Sequence, residues 1–204
     1  TPCFVVNDTF YSDGRLEASL PAGVYVGSIA GFAERHPEQA ARYYGQAAHT
    51  NHDAIAALNT LFAQDGLVVY VPAGVALEQP VQLINLFRST EPIMANRRIL
   101  FVVEDGASAK LLVCDHSMGD TDFLSTEVVE IIAGRDAVVD YYDLEESSIR
   151  TRRFSSLFVE QEAGSNVLVN GITLNNGQTR NNYRARINGE GAELTLCGMA
   201  IEDR

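Results

Sequence analysis

The chain contains no tryptophan, a single lysine (Lys110) and no long apolar segment. Without a run of about 18 consecutive apolar residues, the sequence offers no candidate transmembrane helix. Acidic residues outnumber basic ones by 27 to 15, which gives a formal net charge of −12. A surface of this sign is repelled by nucleic-acid phosphates and by anionic lipid headgroups. We therefore expect neither nucleic acid nor a membrane surface among the partners.

Cysteine is also scarce, because Cys3, Cys114 and Cys197 are the only three and lie far apart in sequence. An odd count at such spacing is typical of free thiols in a reducing compartment. No basic start followed by an apolar core is present, so the sequence predicts no secretory signal and favours a cytoplasmic protein. The chain starts at Thr1 instead of a methionine. We therefore expect a fragment of a longer protein.

Residues 123–201 contain one pattern written three times: a strand, a turn with glycine, a second strand and a polar loop. Gly106, Gly134, Gly164 and Gly191 follow one another at 28, 30 and 27 residues. β-Branched residues fill the strand positions. A period of this length indicates a repeat architecture in which each unit covers the apolar face of the next. The pattern predicts a mainly β protein, a right-handed parallel β-helix, with a β-sandwich of short hairpins as the alternative.

A helical insertion is predicted within this β-helix, at about residues 34–64. The phrase Pro-Ala-Gly-Val, typical of a strand corner, stands on both sides of it, at residues 21–24 and 72–75. Pro37 suits the first turn of one helix, and Asn51 is predicted to cap a second. We expect residues 1–204 to form a single β-helix domain. The second helix is predicted to pack through an apolar stripe made of Ala54, Ile55, Leu58, Leu61 and Phe62.

Cys114-Asp115-His116 is the most suggestive triplet for chemistry. A thiolate and an imidazole two residues apart could contribute to a metal site. The two side chains share a face only if the strand continues through both, and Ser117 is predicted to begin a loop. The favoured interpretation is therefore a buried thiol beside a histidine at a corner. Cys197, among apolar residues, is predicted to be a core thiol.

A group of carboxylates after one strand offers a second candidate. Two carboxylates on one face could do acid–base work on a glycan. A cluster at a solvent-facing corner is more often only solvated, and nearby arginines are predicted to balance it. We therefore predict no catalytic, cofactor-binding or metal site. The carboxylates are Asp140, Asp143, Glu145 and Glu146, and the arginines are Arg150, Arg152 and Arg153.

The segment from residue 66 to residue 83, Gly-Leu-Val-Val-Tyr-Val-Pro-Ala-Gly-Val-Ala-Leu-Glu-Gln-Pro-Val-Gln-Leu, resembles the first β-helix coils of the SufB/SufD family. The earlier Pro-Ala-Gly phrase, the helical stretch and the glycine-punctuated strands up to Asp203 extend the resemblance over nearly the whole chain. Within the family the chain is more similar to SufD. SufB proteins tend to carry a Glu-Gly-Cys phrase in the early coils, and the matching place, between Asp115 and Gly119, lacks it.

The resemblance implies a non-catalytic scaffold for iron–sulfur cluster assembly. Its partners would be a SufB-like protein and the SufC-like ATPase, which would hydrolyse the ATP, with a homodimer as the other assembly. No cofactor would be bound by this part of the chain, and the complete complex would carry the cluster transiently. The docking residues of the family would lie beyond Arg204. The competing class is a secreted β-helix polysaccharide lyase or hydrolase, against which the lack of tryptophan counts.

Overall fold

The computed structural model describes residues 2–12, 14–48, 53–119, 121–174 and 177–201. Within these residues, strands and four short helices alternate along the chain in the order β1–β2–α1–β3–α2–α3–α4, followed by β4 to β13. The strands are β1 (Pro2–Val6), β2 (Thr9–Tyr11), β3 (Tyr25–Ser28), β4 (Leu67–Val71), β5 (Val81–Arg88), β6 (Ile93–Val103), β7 (Ser108–Met118), β8 (Phe123–Ala133), β9 (Val138–Glu146), β10 (Thr151–Gln161), β11 (Asn166–Leu174), β12 (Gln178–Ile187) and β13 (Glu193–Ile201). The helices are α1 (Arg15–Ala18), α2 (Ile29–Arg35), α3 (Pro37–Tyr43) and α4 (Ala54–Phe62).

From β4 onward the chain winds through five successive coils, each with one strand in each of two sheets. Sheet A has the order β13-β11-β9-β7-β5-β1-β2, and sheet B has the order β12-β10-β8-β6-β4-β3. Neighbouring coils pair in parallel, so that Thr126 of β8 lies between Asn96 of β6 and Phe154 of β10. The predicted mainly β parallel β-helix is therefore confirmed, and the β-sandwich alternative is wrong.

The core lies between the two sheets, where alternate residues of each strand point inward. One row of sheet B carries Val69, Phe101, Ile131 and Val159 across four coils, all of them buried. Burial of side chains of this size contributes about 1.5–3 kcal/mol each. The stacked rows therefore form one continuous core, as the repeat pattern predicts.

The two Pro-Ala-Gly-Val phrases both form tight turns at the start of the solenoid. The N–H of Val24 donates to the carbonyl of Pro21 at 3.1 Å, and the N–H of Val75 donates to that of Pro72 at 3.2 Å. The first turn packs on the second, because the Cβ position of Gly23 lies 3.1 Å from Cγ of Pro72. The predicted strand corners are thus confirmed. The strand that follows the first of them, β3, runs antiparallel to β4 and ends sheet B on this side.

The helices α2, α3 and α4 lie over the outer face of sheet B. Phe32 of α2 packs with Val68 and Leu100, while Ala56 of α4 packs with Val128 and Phe158. Sheet B is thereby buried on both faces, and its strands are almost continuously apolar. The helical layer gives the solenoid one thick wall.

The helix α4 begins and packs differently from the prediction. Its N-cap is Asp53, whose carboxylate accepts the N–H groups of Ile55 and Ala56 at 3.1 and 2.9 Å. Asn51, the predicted cap, lies outside the described residues. The predicted apolar stripe is wrong at its end, because Leu61 and Phe62 are exposed. The buried face is formed by Ala56 and Asn59 instead.

The corner turns correct the predicted period of the repeat. Gly106, Gly164 and Gly191 have positive φ, but in the coil between the first two the left-handed position is held by Asp136, with φ of 55°. Gly134, predicted as a marker, lies two residues earlier. The strands agree, since Phe123 pairs with Ile93 and Thr151, which are 30 and 28 residues away. The repeat is therefore 30 residues and then 28 at this point.

We expect Gly164→Ala to lower the free energy of unfolding by about 2 kcal/mol. A left-handed φ costs a residue with a Cβ about 1–2 kcal/mol, and the new Cβ would also overlap Oδ1 of Asp136 in the coil before. The matched control is Gly106→Ala, since Gly106 has φ of 66° but open space around its Cβ position. Urea unfolding of both variants measures the difference. Equal losses would show that the corners do not pack on one another.

Candidate functional site

Six charged side chains point into the space between the two sheets, among the described residues. They come from strands β6 to β10 and lie in inward-facing rows, where the apolar core would otherwise continue. The residue types alternate in sign across the space, with the two arginines on sheet B. We call them the interior charge cluster. Its members are Arg97, Asp115, Glu127, Asp143, Glu145 and Arg153.

Arg153 is the centre of the cluster. Its Nη2 lies 2.6 Å from Oε1 of Glu127 and 2.9 Å from Oδ2 of Asp143. Its Nη1 lies 3.4 Å from Oε2 of Glu145, and its Nε lies 3.2 Å from Oδ2 of Asp115. One guanidinium thus contacts four carboxylates from three strands. This arrangement ties both sheets and two successive coils together through a single side chain.

Arg97 binds Asp115 through both ends of its guanidinium. Nη1 donates to Oδ1 at 2.9 Å and Nη2 donates to Oδ2 at 2.7 Å. The amide of Asn85 donates a further hydrogen bond to Oδ1 of Asp115 at 2.7 Å. The Arg97 guanidinium also lies 4.5 Å from the ring centre of Phe87. Such planar, bidentate pairing is the geometry in which a buried arginine–carboxylate pair is best stabilised.

The two sides of the cluster differ in electrostatics. Burial alone would raise the pKa of Asp115, but the attraction of Arg97 and Arg153 outweighs it, and the pKa is lowered. Burial raises the pKa of Asp143 to about 7, with Glu127 and Asp115 adding to the effect and Arg153 opposing it. Asp115 is therefore held ionised, whereas Asp143 can take up a proton near neutral pH.

The last described coil is joined to the cluster by polar side chains. The hydroxyl of Thr179 donates to Oε1 of Glu145 at 2.6 Å, and that of Thr173 donates to Oε2 at 3.2 Å. Nη1 of Arg153 donates to Oδ1 of Asn181 at 2.9 Å. The cluster therefore extends from β6 to β12. Its arginines are saturated by carboxylates, so that it is suited to holding charge and protons and not to nucleophilic attack.

A second polar group fastens the helical layer to sheet B. The carboxylate of Glu130 accepts the N–H groups of Gly45, Ala47 and Ala48, each at 3.0 Å. It also accepts a hydrogen bond of 2.6 Å from Nη2 of Arg98. Glu130 and Arg98 are both buried. The loop after α3 is therefore held by a single ionised side chain of β8.

Asn59 makes the corresponding contact from α4. Its amide donates to the carbonyl of Arg97 at 2.9 Å and to the carbonyl of Thr126 at 3.2 Å. These carbonyls belong to neighbouring coils, β6 and β8. One fully buried amide thus fixes the helix across two coils, which explains why a polar residue stands where the sequence predicts an apolar contact.

Comparison with protein families shows which proteins carry this architecture. The model of the SufBD protein N-terminal region matches residues 1–83, and the model of the SUF system FeS cluster assembly SufBD core domain matches residues 86–204. The chain belongs to the SufBD family. This confirms the resemblance found in the sequence. The two matched regions of this SufBD chain meet within strand β5.

Three curated relatives support the assignment. An iron–sulfur cluster assembly SufBD family protein of Synechocystis is 34% identical over 121 residues, which covers 58% of this chain and 25% of the relative. Protein ABCI7, chloroplastic, of Arabidopsis thaliana is 24% identical over 98% of this chain and 44% of its own length. Another Synechocystis SufBD family protein is 25% identical over 96% and 45%. The chain thus spans less than half the length of these relatives.

In this SufBD chain the Cys114-Asp115-His116 triplet is divided between two faces. Strand β7 continues to Met118, so the prediction that a loop begins at Ser117 is wrong. Asp115 points inward to the cluster, and the other two lie on the outer face. There Nδ1 of His116 lies 3.6 Å from Oε2 of Glu146, and burial raises the pKa of Cys114. The buried thiol is as predicted, whereas the histidine lies within a strand and not at a corner.

The predicted solvent-facing acidic cluster is divided in the same way. Asp143 and Glu145 are buried in the interior cluster, whereas Asp140 lies on the outer face, 2.9 Å from Nζ of Lys110. The prediction is therefore wrong for Asp143 and Glu145. The reason is that β9 continues through Glu146 and alternates its side chains. The alternation itself was the available signal, since Asp143 has the same parity as the core residue Val139.

The arginines after β9 also separate. Arg150 pairs with Asp122 at 3.0 Å on the surface, Arg152 is exposed, and Arg153 is completely buried. A shared role in balancing an exposed acidic corner is therefore wrong for Arg153. Only the strand pairing shows the difference, because Arg153 stands opposite Ser125 on an inward row.

The remaining cysteines lie at opposite ends of the solenoid. Cys197 is exposed on β13, so its prediction as a core thiol is wrong. Cys3 is buried, and burial raises its pKa to about 12. Within the described residues, no group of three or more histidine, cysteine, aspartate or glutamate side chains is arranged to hold a metal ion. None of the described helices combines the length and the apolar character needed to cross a membrane.

Proposed function

We propose that this chain is part of a non-catalytic scaffold subunit of the SUF iron–sulfur cluster assembly complex. The observation that carries the proposal is the match of the SufBD N-terminal and core family models to residues 1–83 and 86–204. The names of the relatives point to the same process, iron–sulfur cluster assembly. We further propose that the subunit is of the SufD type and works in the cytoplasm.

The partners in this proposal are a SufB-like protein and a SufC-like ATPase. ATP hydrolysis belongs to the SufC-like partner, and the iron–sulfur cluster is cargo of the complete complex. The geometry of the chain supports a holding role. The interior charge cluster ties coils β6 to β12 together, and Glu130, Asn59 and Asp53 fasten the helical layer on the outside. Such a wall keeps its shape when partners pull on it.

The proposal is tested by co-expression of the full-length protein with the SufB-like and SufC-like proteins of the same organism. We expect the full-length protein to co-purify with a tagged SufC-like ATPase in a fixed ratio, and to remain bound through gel filtration. An untagged SufC-like protein is the control for retention on the resin. A full-length protein that folds but elutes apart from both partners would refute the scaffold role.

A further inference from the structure

The interior charge cluster contains more negative than positive groups. Four carboxylates face two guanidinium groups in a space closed by both sheets. If every group were ionised, the buried net charge would be −2. An uncompensated buried charge is costly, so a site of this kind is normally neutralised by protonation.

Asp143 is the carboxylate with the weakest compensation. Of its two oxygens, Oδ2 lies 2.9 Å from Nη2 of Arg153, but Oδ1 has no hydrogen-bond partner among the described residues. Asp115, in contrast, contacts both arginines and Asn85. A protonated Asp143 would gain a hydroxyl donor among acceptors that are themselves short of donors, such as Oε2 of Glu127.

The surroundings of Asp143 are fixed by six strands. The neighbouring coil in sheet A has Gly171 opposite Asp143, and this leaves room for the Tyr183 hydroxyl, which lies 2.7 Å from the Cβ position of Gly171. Sheet B supplies the guanidinium groups. The charged and titratable groups that face Asp143 are Arg97 from β6, Asp115 from β7, Glu127 from β8, Tyr141 and Glu145 from its own strand β9, Arg153 from β10 and Tyr183 from β12.

We propose that the interior charge cluster is a proton-linked switch, in which the folded solenoid keeps a proton on the Asp143 carboxyl near neutral pH and loosens its last coils when that proton is lost. The coils affected are those that share Arg153, from β8 to β12. When Asp143 ionises, it competes with Glu127 and Glu145 for the same guanidinium. The contact between Arg153 and Asn181, which helps to seat the last described coil, weakens in consequence.

The sign of the pH dependence follows from the two states of Asp143. The unfolded chain loses this proton around the ordinary pKa of 3.8, whereas burial keeps it on the folded chain up to a pKa of about 7. Between these values the folded state binds one more proton than the unfolded state. The contribution of Asp143 to stability is therefore complete below the lower value and is lost as the pH rises through the upper one. Within this window the folding equilibrium constant falls about tenfold for each pH unit.

The experiment compares the full-length wild-type protein with Asp143→Asn, in which the side chain is neutral at every pH. Urea unfolding is measured between about pH 5 and pH 8. We expect the ratio of the variant's folding constant to that of the wild type to rise about tenfold per pH unit up to about pH 7. The matched control is Asp140→Asn, because Asp140 lies on the same strand but on the outer face. Its ratio to the wild type is expected to stay flat over this range.

Parallel profiles for the wild type and Asp143→Asn would overturn the proposal, as would an equal change in Asp140→Asn. A second measurement needs only the wild type, in case Asp143→Asn does not fold. The infrared C=O stretch of a protonated carboxylic acid should be present at about pH 6 and vanish by about pH 8. Hydrogen exchange of β8 to β12 should accelerate in the same interval, beyond its intrinsic pH dependence. Absence of the infrared band at the lower pH would also refute the switch.

Discussion

Replacing Arg153 by methionine is expected to lower the free energy of unfolding by about 3–5 kcal/mol at neutral pH. Methionine fills much of the same volume, so the loss reflects charge and not a cavity. Without the guanidinium, Glu127, Asp143 and Glu145 face one another in a closed space, and Asp115 keeps only Arg97. These carboxyls will take up protons more readily. The loss of stability should therefore be smaller at acidic pH than at neutral pH.

Arg152→Met is the matched control, because Arg152 is the preceding residue on the same strand and its side chain is exposed on the outer face. Its effect should stay within about 0.5 kcal/mol, as is usual for surface substitutions. Urea unfolding followed by circular dichroism measures both variants. Similar losses for Arg152→Met and Arg153→Met would contradict the assignment of Arg153 to the centre of a buried cluster.

Replacing Glu130 by alanine is expected to cost about 3–5 kcal/mol as well, because a buried Arg98 loses the carboxylate that neutralises it. The N–H groups of Gly45, Ala47 and Ala48 lose their acceptor at the same time. The damage should be concentrated in the helical layer. We expect hydrogen exchange to accelerate first in the loop after α3 and in α4, while the inner rows of the solenoid stay protected.

The control for this variant is Glu146→Ala. Glu146 has a side chain that is 59% exposed and is 3.6 Å from His116, and such surface pairs contribute at most about 1 kcal/mol. Exchange measured by mass spectrometry on both variants gives the comparison. Uniform acceleration over the whole solenoid in Glu130→Ala would show that Glu130 does not act through the helical layer.

The sequence predicts the solenoid because its signals are local and repeated. β-Branched strands, the two Pro-Ala-Gly-Val corners and a period near 28 residues all agree, and stacked coils are the arrangement that buries their apolar faces. Proline and glycine at residues 72 and 74 act through backbone geometry alone, which needs no knowledge of the partner coil. These features are therefore readable before any contact is known.

The interior charge cluster is different, because its members are brought together only by the register between coils. Glycine spacing gives Gly134 as a corner, but the left-handed residue is Asp136, so the period between coils is misplaced by two residues. Charged residues near a strand end also favour a solvated interpretation, which holds for Asp140 and fails for Asp143. Packing decides the rest. Asn59 is buried on α4 because two carbonyls of the sheet require a donor there.

The most direct test of the central claim, a scaffold role in iron–sulfur cluster assembly, is made in cells that lack the gene for the full-length protein. The activity of an iron–sulfur enzyme is measured during iron-limited growth, together with the amount of that enzyme. The account predicts that activity falls while the amount of enzyme protein is unchanged, and that the full-length gene restores it. Unchanged enzyme activity in the deleted cells would contradict the account.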